Sequence, residues 1–574
     1  MTDNRLSFLI GGSAGQGMDT LTEILEKHLQ RLGYWTFTTR DYMSRVRGGH
    51  NFLQTRFGST PIHSHSVHSD AVLALNAETV EVHLPTLSPD GVVFVDTAEP
   101  LSDASTNDPR VIRLPFKAAA VRAGSAKASG TVALGALFAF FGLPVTGIES
   151  ILSKAFAPDV AVLNLAALNL GRDLATPTKA APVPEGGTDR ILLHGNEAVA
   201  LGAIAAGCRF YSAYPMTPST SIMNALAARM DAGRVLVEQA EDEIAAINMA
   251  IGASYAGARA MTGTSGGGFC LMVEALGLAG MQELPLVIAD IQRPGPVTGL
   301  PTRTEQGDLR FVVSASHGEF PRLVVALRSP ADAFRQTVRA FDLADRFRIP
   351  VILLGDQVLA DTTVTVPPFP IGTIPFDRHL GLADLDGGFR TYALTADGIS
   401  PRLIPGTVPG VRVCVDSDEH DEWGRITESA EDRVAMTRKR MRKSAALALE
   451  VEEPEFLGDP EFDVLVLCWG STREPMADAM ERLERGEFRP AEAKDRHRYA
   501  ALAFGDVWPL PTRELLRCAA QAKLIVDVEQ NATAQFAGLV REVTGLECHR
   551  KLLRYDGRPI GGEWILEGLV NGHE

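Results

Sequence analysis

The stretch from residue 211 to residue 303 constrains the fold of this chain most strongly, because polar motifs in it repeatedly follow short apolar runs. The apolar runs are typical of buried strands, and the motifs are typical of the loops and helix starts that come after strands. In an open α/β sheet, such loops gather at the carboxyl ends of the strands and form the ligand site. We therefore predict an α/β domain with its site at these loops, including a close-approach glycine loop at 266–268 before a helix that starts at Phe269. The motifs are Tyr214-Pro-Met-Thr-Pro-Ser219, Glu238-Gln-Ala-Glu-Asp-Glu243, Thr262-Gly-Thr-Ser-Gly-Gly-Gly268, Ile291-Gln-Arg-Pro-Gly295 and Pro301-Thr-Arg303.

Glu243 is the candidate for proton chemistry. The helix predicted over residues 241–255 is apolar around most of its circumference, so it should be buried nearly all round. Glu243 shares a helical face with Ala246 and Ala250. We therefore expect its carboxyl to be desolvated and partly protonated, a state suited to moving a proton. The alternative is a first-turn glutamate that only complements the helix dipole.

Thr217 and Arg293 are the candidates for binding a substrate. Pro215 and Pro218 fix a rigid bend that can present the Thr217 hydroxyl to a ligand. Alternatively, Thr217 caps the helix that begins near Ser219. Arg293 follows a predicted buried strand directly, in a loop rich in proline and glycine, where its guanidinium can bind a carboxylate or a phosphate in a bidentate manner. A surface arginine is the alternative.

A glycine-rich turn near the N-terminus is a second candidate site. A predicted strand over residues 5–10, the turn Gly11-Gly-Ser-Ala-Gly15-Gln-Gly17 and a helix from about Asp19 to Leu32 offer backbone N–H groups and a helix dipole to a phosphate. The order G-x-x-G-x-G departs from the dinucleotide fingerprint G-x-G-x-x-G, so NAD is the least favoured ligand. A different phosphate-bearing ligand and a purely structural turn remain open.

His63, His65 and His68 lie close together in the sequence, as metal ligands often do. No fourth ligand follows at a familiar spacing, and the segment has the composition of a polar loop. Solvated loop histidines are therefore favoured over a metal site.

Length and periodicity divide the chain into α/β domains and connecting segments. At 574 residues the chain is too long for one core, and a prior of roughly 150 residues per domain gives three or four domains. The basic run Arg438-Lys-Arg-Met-Arg-Lys443 is typical of a solvated face or a paired helix end. The predicted segments are an α/β domain at 1–175, a linker at 176–189, an α/β domain at 190–365, an irregular connection at 366–457 and an α/β domain at 458–574.

Charge and cysteine content argue against several classes of function. A formal net charge of −16 does not suit bulk electrostatic binding of nucleic acid or of an anionic membrane. No apolar run reaches the ~18 residues that a membrane helix needs, and residues 1–6 do not resemble a targeting segment, so a cytoplasmic protein is expected. The six cysteines lie far apart without a C-x-x-C, which predicts reduced thiols and no iron–sulfur cluster on this chain.

Taken together, the motifs resemble those of the alpha subunit of 2-oxoacid:ferredoxin oxidoreductases. The resemblance is carried by Tyr-Pro-Met-Thr-Pro-Ser, Glu-Gln-Ala-Glu-Asp-Glu, Thr-Ser-Gly-Gly-Gly and Gln-Arg-Pro-Gly-Pro-x-Thr-Gly-Leu-Pro-Thr-Arg-Thr within residues 214–304. It implies a thiamine-diphosphate pyrimidine-binding fold at 190–365. Val507-Trp-Pro-Leu-Pro511 and Val528-Glu-Gln-Asn531 resemble the family's transketolase-C-terminal-like domain. Residues 1–175, with Gly-Gly-x-x-Gly-Gln-Gly and Arg-Gly-Gly, resemble its gamma subunit fused in front.

The resemblance also implies an activity and roles for residues. Members of the family use thiamine diphosphate and Mg²⁺ to decarboxylate a 2-oxoacid oxidatively, form acyl-CoA and pass electrons through iron–sulfur clusters to ferredoxin, reversibly in principle. The glutamate that bonds N1′ of the aminopyrimidine maps to Glu243, with Pro215 as a further thiamine contact. Thr217 and Arg293 are implied to contact the substrate carboxylate, with Thr302 close by. The candidate contacts for CoA are Gly12, Ser13, Gly15, Gln16 and Gly17.

Two departures from the family pattern imply a partner. A diphosphate-binding Gly-Asp-Gly followed by Asn is missing, and the nearest runs are Gly355-Asp-Gln and Gly505-Asp-Val. Cluster-binding cysteines are missing as well. The resemblance therefore implies a beta subunit that brings the diphosphate site, Mg²⁺ and a [4Fe-4S] cluster, in a dimer of alpha–beta heterodimers.

The substrate that the resemblance implies is 2-oxoglutarate, which would give succinyl-CoA. This rests on the fused gamma domain and on the Gly-Leu-Pro-Thr-Arg-Thr loop. Pyruvate and branched-chain 2-oxoacids remain alternatives, because a partner can complete the side-chain pocket. A hypothesis of a different class is a non-catalytic CoA-binding or scaffold paralogue, and the presence of Glu243, Thr217 and Arg293 favours catalysis over it.

Overall fold

A computed structural model of the protein describes residues 5–43, 49–184, 188–380, 388–487 and 497–571. The chain divides into two compact units, each assembled from separate parts of the sequence. The first unit comprises residues 1–193, 361–368 and 561–563, and the second comprises 194–360, 369–560 and 564–574. The predicted division into five segments is finer than these two units and stays a prediction.

Strands and helices alternate along most of the chain, so the predicted α/β class is confirmed. The strands are β1 (Arg5–Gly12), β2 (Trp35–Asp41), β3 (Asn51–Gly58), β4 (Ser69–Ala74), β5 (Leu87–Asp96), β6 (Val111–Leu114), β7 (Ile191–His194), β8 (Phe210–Ala213), β9 (Leu236–Gln239), β10 (Ala260–Thr264), β11 (Leu286–Gln292), β12 (Leu323–Ala326), β13 (Pro350–Asp356), β14 (Thr363–Val366), β15 (Glu455–Gly458), β16 (Val464–Trp469), β17 (Tyr499–Phe504), β18 (Asp506–Trp508), β19 (Leu524–Glu529) and β20 (Arg550–Leu553). The α-helices are α1 (Met18–Arg31), α2 (Ala77–His83), α3 (Asp103–Asn107), α4 (Phe116–Ala123), α5 (Ser129–Phe140), α6 (Ile148–Ala155), α7 (Pro158–Arg172), α8 (Gly195–Ala205), α9 (Thr220–Ala227), α10 (Met230–Gly233), α11 (Glu243–Tyr255), α12 (Gly266–Met281), α13 (Leu309–Ser314), α14 (Pro330–Phe347), α15 (Gln357–Asp361), α16 (Ala430–Leu447), α17 (Arg473–Arg485), α18 (Arg513–Gln521), α19 (Gln535–Thr544) and α20 (Gly562–Asn571).

The first unit is built on an eight-stranded mixed sheet in the order β6-β5-β4-β1-β3-β2-β14-β7. Strands β1, β4, β5 and β6 are parallel, whereas β3 is antiparallel to both β1 and β2. Strand β14 returns late in the chain and pairs antiparallel with β2. Helix α5 supplies the centre of the core, because every residue from Thr131 to Phe140 is buried.

Two histidines form a buried pair in the first unit. The Nε2 atoms of His50 and His83 lie 2.7 Å apart, and each residue is 6% exposed. A ring nitrogen must accept in this contact, so at least one imidazole is neutral. Burial lowers the pKa of both groups, and that of His83 falls to about 4 because His50 adds to the effect of burial.

We expect the protein to lose stability as the pH falls from about 6.5 to about 4. His83 is protonated in the unfolded chain before it is protonated in the folded one, so acid favours unfolding over this window and its contribution is flat outside it. The difference corresponds to about 3 kcal/mol. Urea unfolding of the full chain at pH 7.5, 5.5 and 4 measures how the free energy of unfolding changes with pH. Hydrogen exchange in β4 reports the same change within the first unit. His83→Gln should reduce this dependence on pH. An unchanged dependence in the variant would mean that His83 is not the group responsible.

The second unit is built around a seven-stranded sheet in the order β18-β12-β13-β11-β10-β8-β9. Its strands are parallel from β12 through β9, whereas β18 runs antiparallel to β12. Strands β8, β9, β10 and β11 each end in or just before one of the polar motifs. Because parallel strands end at the same edge of a sheet, the motifs meet at one edge.

A five-stranded sheet in the order β15-β17-β16-β19-β20 completes the second unit. One buried apolar cluster takes side chains from both sheets, among them Ile288, Ile352, Trp469 and Phe504. The two sheets therefore share a core. Strand β18 lies between β17 and β19 of the smaller sheet in the sequence, yet it forms an edge of the larger sheet.

The segment 366–457, predicted to be irregular, contains the 18-residue helix α16. Lys439 and Lys443 of this helix place their Nζ atoms 2.5 Å and 2.8 Å from the two carboxylate oxygens of Glu283. All three side chains are at most 1% exposed. The two lysines and Arg348 hold the pKa of Glu283 far below its usual range against the effect of burial. A solvated face is thus wrong for these two lysines, because a distant glutamate pairs with both.

In the part of the chain that the structure describes, no helix combines the length and the apolar character needed to cross a membrane.

Candidate active site

Glu243 is the first residue of α11 and is 3% exposed, so its predicted burial is confirmed. Asp242 precedes it as the N-cap residue and accepts from the backbone N–H of Ala245 at 2.7 Å. Asp242 therefore provides the side-chain cap, and Glu243 is not needed for it. Within the described ranges, Oε1 of Glu243 is buried and has no hydrogen-bond partner. A buried carboxylate oxygen without a partner is costly, which favours a ligand at this position. Partial protonation of Glu243 stays a prediction.

The glycines at 266–268 form the first turn of α12, so a loop there and a helix start at Phe269 are wrong. Ser265 has an extended backbone and occupies the N-cap position without a side-chain capping hydrogen bond, so the helix begins at Gly266. A Cβ at Gly268 would overlap Thr264 Oγ1 and Glu243 Oε1, and it would lie 2.8 Å from Glu243 Cδ. Glycine is therefore required here because the Glu243 carboxyl occupies the space of a side chain.

Arg293 and Thr217 lie together, as their predicted roles require. Nη1 of Arg293 donates to the backbone carbonyl of Thr217 at 2.7 Å, and Nη2 lies 3.4 Å from Met216 Sδ. Helix α9 begins at Thr220 with Ser219 as its N-cap residue, so Thr217 does not occupy the capping position. Thr217 is exposed and Arg293 is half-buried at the carboxyl edge of the sheet, where both can meet a ligand.

Thr302 and Pro215 are both half-buried. Thr302 lies in the turn that follows the Arg293 loop, and Pro215 lies just before Thr217. Contacts of Thr302 with a substrate and of Pro215 with thiamine stay predictions.

Sequence reasoning missed two acidic residues at the same edge. Asp290 on β11 is fully buried, and in the described ranges neither of its carboxylate oxygens has a hydrogen-bond partner. Oδ2 of Asp308 is also buried and has no hydrogen-bond partner in these ranges. Burial and the neighbouring Asp308 raise the pKa of Asp290 well above its usual range. Burial and Glu305 raise the pKa of Asp308 to about 7, while Arg293 opposes them. An aspartate inside the apolar run Leu286–Asp290 was the available signal.

The N-terminal glycine turn joins β1 to α1, with Gly15 and Gly17 at φ values of 89° and 79°. The side chain of Gln16 accepts from the backbone N–H of Ser13 at 2.6 Å, and Asn76 Nδ2 donates to Ser13 Oγ at 3.0 Å. Gly17 precedes α1 without a capping side chain, which leaves N–H groups of the first helical turn for another acceptor. A phosphate or CoA contact here stays a prediction.

The three clustered histidines lie in a loop, where His63 and His65 are half-buried and His68 is exposed. Within the described ranges, no group of three or more His, Cys, Asp or Glu side chains is arranged to hold a metal ion. Arg45, Val46, Arg47 and Gly48 of the Arg-Gly-Gly run lie outside the described residues.

Both runs that most resemble a diphosphate motif are engaged within the chain. The carboxylate of Asp356, in the first run, accepts from the backbone N–H of Leu359 at 3.0 Å and from the hydroxyl of Ser471. Asp506, in the second, accepts two hydrogen bonds of 2.7 Å from the guanidinium of Arg339. Both carboxylates are therefore occupied by hydrogen-bond donors of this chain.

Two family models match the chain. Residues 201–439 match "Pyruvate flavodoxin/ferredoxin oxidoreductase, thiamine diP-bdg", which contains the site described above. Residues 7–174 match "Pyruvate ferredoxin/flavodoxin oxidoreductase". The second unit thus carries a thiamine-diphosphate-binding domain.

Similar proteins cover 85% to 99% of this chain. The 2-oxoacid:ferredoxin oxidoreductase subunit alpha of Saccharolobus solfataricus is 30% identical over 98% of this chain and 97% of its own length. The 2-oxoglutarate oxidoreductase subunit KorA of Mycobacterium tuberculosis is 31% identical over 85% of this chain and 81% of its own. A solved 2-oxoglutarate:ferredoxin oxidoreductase from Magnetococcus marinus, with 2-oxoglutarate, coenzyme A and succinyl-CoA bound, has a TM-score of 0.91 and 30% identity over 99% of each chain. The resemblance in the motifs is confirmed, and the chain belongs to the 2-oxoacid:ferredoxin oxidoreductase family as an alpha subunit.

Proposed function

We propose that this subunit holds the aminopyrimidine end of thiamine diphosphate and the carboxylate of a 2-oxoacid during CoA-dependent oxidative decarboxylation, with electrons passing to ferredoxin. The observation that carries the proposal is the Glu243 carboxyl, which is buried and, among the described residues, leaves Oε1 without a partner. A ring nitrogen of a bound cofactor would satisfy that atom.

The surrounding residues fit the aminopyrimidine. Gly268 leaves room for the Glu243 carboxyl, and the Oγ atom of Ser265 is also buried without a partner among the described residues, so a second polar atom here can bond to a ligand. When bound, thiamine diphosphate supplies the nucleophilic carbon and the electron sink that decarboxylation needs. Glu243 would hold a proton at the ring nitrogen of the aminopyrimidine.

Arg293 and Thr217 would position the substrate. The Arg293 guanidinium is already oriented by the Thr217 carbonyl, so less side-chain freedom is lost when it binds a carboxylate. A guanidinium is also the side chain best matched to a planar carboxylate.

2-Oxoglutarate is the proposed substrate and succinyl-CoA the proposed product. The solved Magnetococcus protein binds both molecules, and the Mycobacterium relative carries 2-oxoglutarate in its name. We assign the CoA contact to the turn from Gly12 to Gly17, whose glycines and free helix end suit a phosphate. Pyruvate and branched-chain 2-oxoacids are the alternatives that a substrate panel separates.

A beta subunit is proposed to complete the site with the diphosphate site, Mg²⁺ and a [4Fe-4S] cluster. The engaged Asp356 and Asp506 support this, and so do exposed apolar side chains beside the site residues. Such side chains favour cover by another polypeptide. They are Tyr214, Ile244, Leu271, Val297 and Leu300, which are 39% to 86% exposed.

We expect the purified chain alone to oxidise no 2-oxoacid, and the complex with its partner to oxidise 2-oxoglutarate faster than pyruvate or branched-chain 2-oxoacids. Co-purification identifies the partner, and CoA-dependent reduction of ferredoxin measures each rate. Turnover by the chain alone would refute the shared site. A complex that binds CoA but oxidises no member of the panel would instead support the non-catalytic alternative.

A further inference from the structure

The loop that follows β11 carries both Arg293 and Thr302, and we call residues 293–307 the substrate loop. Its two ends are tied together at the base. The side chain of Gln292, the last residue of β11, accepts through Oε1 from the backbone N–H of Asp308 at 2.9 Å. Because this bond joins the residue before the loop to the residue after it, the substrate loop is closed at the edge of the larger sheet.

The tip of the substrate loop is exposed, and Val297 within it is 86% exposed. The backbone N–H of Leu300 donates to the carbonyl of Pro294 at 3.2 Å, and that of Arg303 donates to the carbonyl of Leu300 at 3.1 Å. These two hydrogen bonds lie within the loop, so they shape the tip without anchoring it to another element.

Gln306 anchors the base of the substrate loop to the five-stranded sheet. Its Nε2 atom donates to the backbone carbonyl of Trp469 at 2.9 Å, and its Oε1 atom accepts from the backbone N–H of Gln530 at 3.1 Å. Its own backbone N–H donates to the carbonyl of Gln530 at 2.7 Å, and its carbonyl accepts from Asn531 Nδ2 at 3.1 Å. Trp469 ends β16, and the other two residues follow β19 directly. One residue thus joins the loop to the carboxyl ends of two adjacent strands.

The hydrogen bonds of the Gln306 side chain fix the orientation of its amide. A backbone carbonyl can only accept and a backbone N–H can only donate, so the amide oxygen and nitrogen cannot exchange places. Gln306 is fully buried, and Gln530 is 2% exposed. An apolar side chain at position 306 would therefore remove the acceptor of a buried N–H group, which is costly.

Gln535 on α19 adds a second anchor to the same part of the loop. Its Nε2 atom donates to the carbonyl of Gly307 at 2.7 Å, and its Oε1 atom accepts from the backbone N–H of Arg310 at 2.9 Å. Gln535 is half-buried, so this anchor is less enclosed than Gln306. Both anchors come from the C-terminal part of the second unit, whereas the loop belongs to the larger sheet.

We propose that Gln306 is a positioning residue through which the five-stranded sheet holds the substrate loop in the conformation that binds the 2-oxoacid. The inference rests on the proposed substrate roles of Arg293 and Thr302. A loop that is already held loses less conformational freedom when the substrate binds. Loss of the anchor should therefore weaken substrate binding, while Glu243, which lies on α11 and not on the loop, keeps its place.

We expect Gln306→Met to raise the KM of the reconstituted complex for 2-oxoglutarate about tenfold, the effect of having to order one or two side chains on binding. Methionine has a similar length but lacks the amide. The kcat and the Kd for thiamine diphosphate should change much less, as for a loss of substrate binding. Hydrogen exchange should become faster at the backbone N–H groups of Leu300 and Arg303.

Gln336→Met is the matched control. Gln336 is also fully buried, and its Nε2 atom donates to Glu452 Oε2 at 2.9 Å, outside the substrate loop. This variant should lower the free energy of unfolding and leave the KM unchanged. If Gln306 had only a structural role, its variant would show the same pattern. Equal KM values for the two variants would therefore overturn the proposal.

Gln535→Met provides a second measurement if Gln306→Met does not fold. It removes one anchor and leaves the other, so the KM should rise about two- to threefold, the lower end of the contribution of one hydrogen bond. An unchanged KM in this variant overturns the proposal. A complex that turns over no 2-oxoacid contradicts only the proposed activity, and its Kd for 2-oxoglutarate, measured by calorimetry, then replaces the KM in the same comparison of variants.

Discussion

Glu243→Gln should lower turnover of the reconstituted complex by about 10²- to 10⁴-fold, the usual contribution of a positioned acid or base. Glutamine has nearly the same shape and can still hydrogen-bond to a ring nitrogen, but it cannot exchange a proton with it. The loss should therefore appear in kcat. Thiamine diphosphate binding, measured separately by calorimetry, should change much less.

Glu241→Gln is the matched control for this experiment. Glu241 lies two residues before Glu243 and is exposed to solvent. It should leave turnover near the wild-type rate. Undiminished turnover in the Glu243→Gln complex would remove Glu243 from the reaction and leave only a structural carboxyl.

Glu283→Ala should destabilise the second unit by about 3–5 kcal/mol, the typical cost of breaking a buried ion pair from one side. Glu283 is fully buried, and its two oxygens pair with Lys439 and Lys443. Removing the carboxylate would leave two ammonium groups together without a counter-charge. Urea unfolding of the full chain at pH 7 measures the change in the free energy of unfolding.

Glu450→Ala is the comparison for Glu283→Ala. Glu450 pairs with Arg346 at 3.0 Å, but the two side chains are 34% and 44% exposed. A surface pair of this kind contributes at most about 1 kcal/mol. Equal effects of the two substitutions would mean that the buried cluster contributes no more than a surface contact.

Local patterns predicted the strands and the burial of Glu243, because both depend on residues close in sequence. The helix predicted at 241–255 could be recognised by its apolar circumference. Because Asp242 is the N-cap residue, the helix starts at Glu243, two residues later than predicted. The contacts of Glu283 with Lys439 and Lys443 could not be predicted in this way, since 156 and 160 residues separate the partners.

The same limit explains why Asp290 and Asp308 were missed. The apolar run that ends at Asp290 was a local signal for the burial of that residue, but the position of the Asp308 carboxyl against Gly266 depends on the fold. For Gly266 and Gly268, the sequence predicted a close approach by another group. Only the fold shows that the approaching groups are the carboxyls of Asp308 and Glu243.

Strand β14 has a practical consequence for dividing the gene. A fragment that stops after residue 193 would lack this strand, although β14 covers one side of β2 in the intact protein. The backbone N–H and C=O groups along β2 would then be open to pairing with other copies, a common cause of insoluble expression. Circular permutation or fusion of residues 361–368 to the fragment would restore the missing edge.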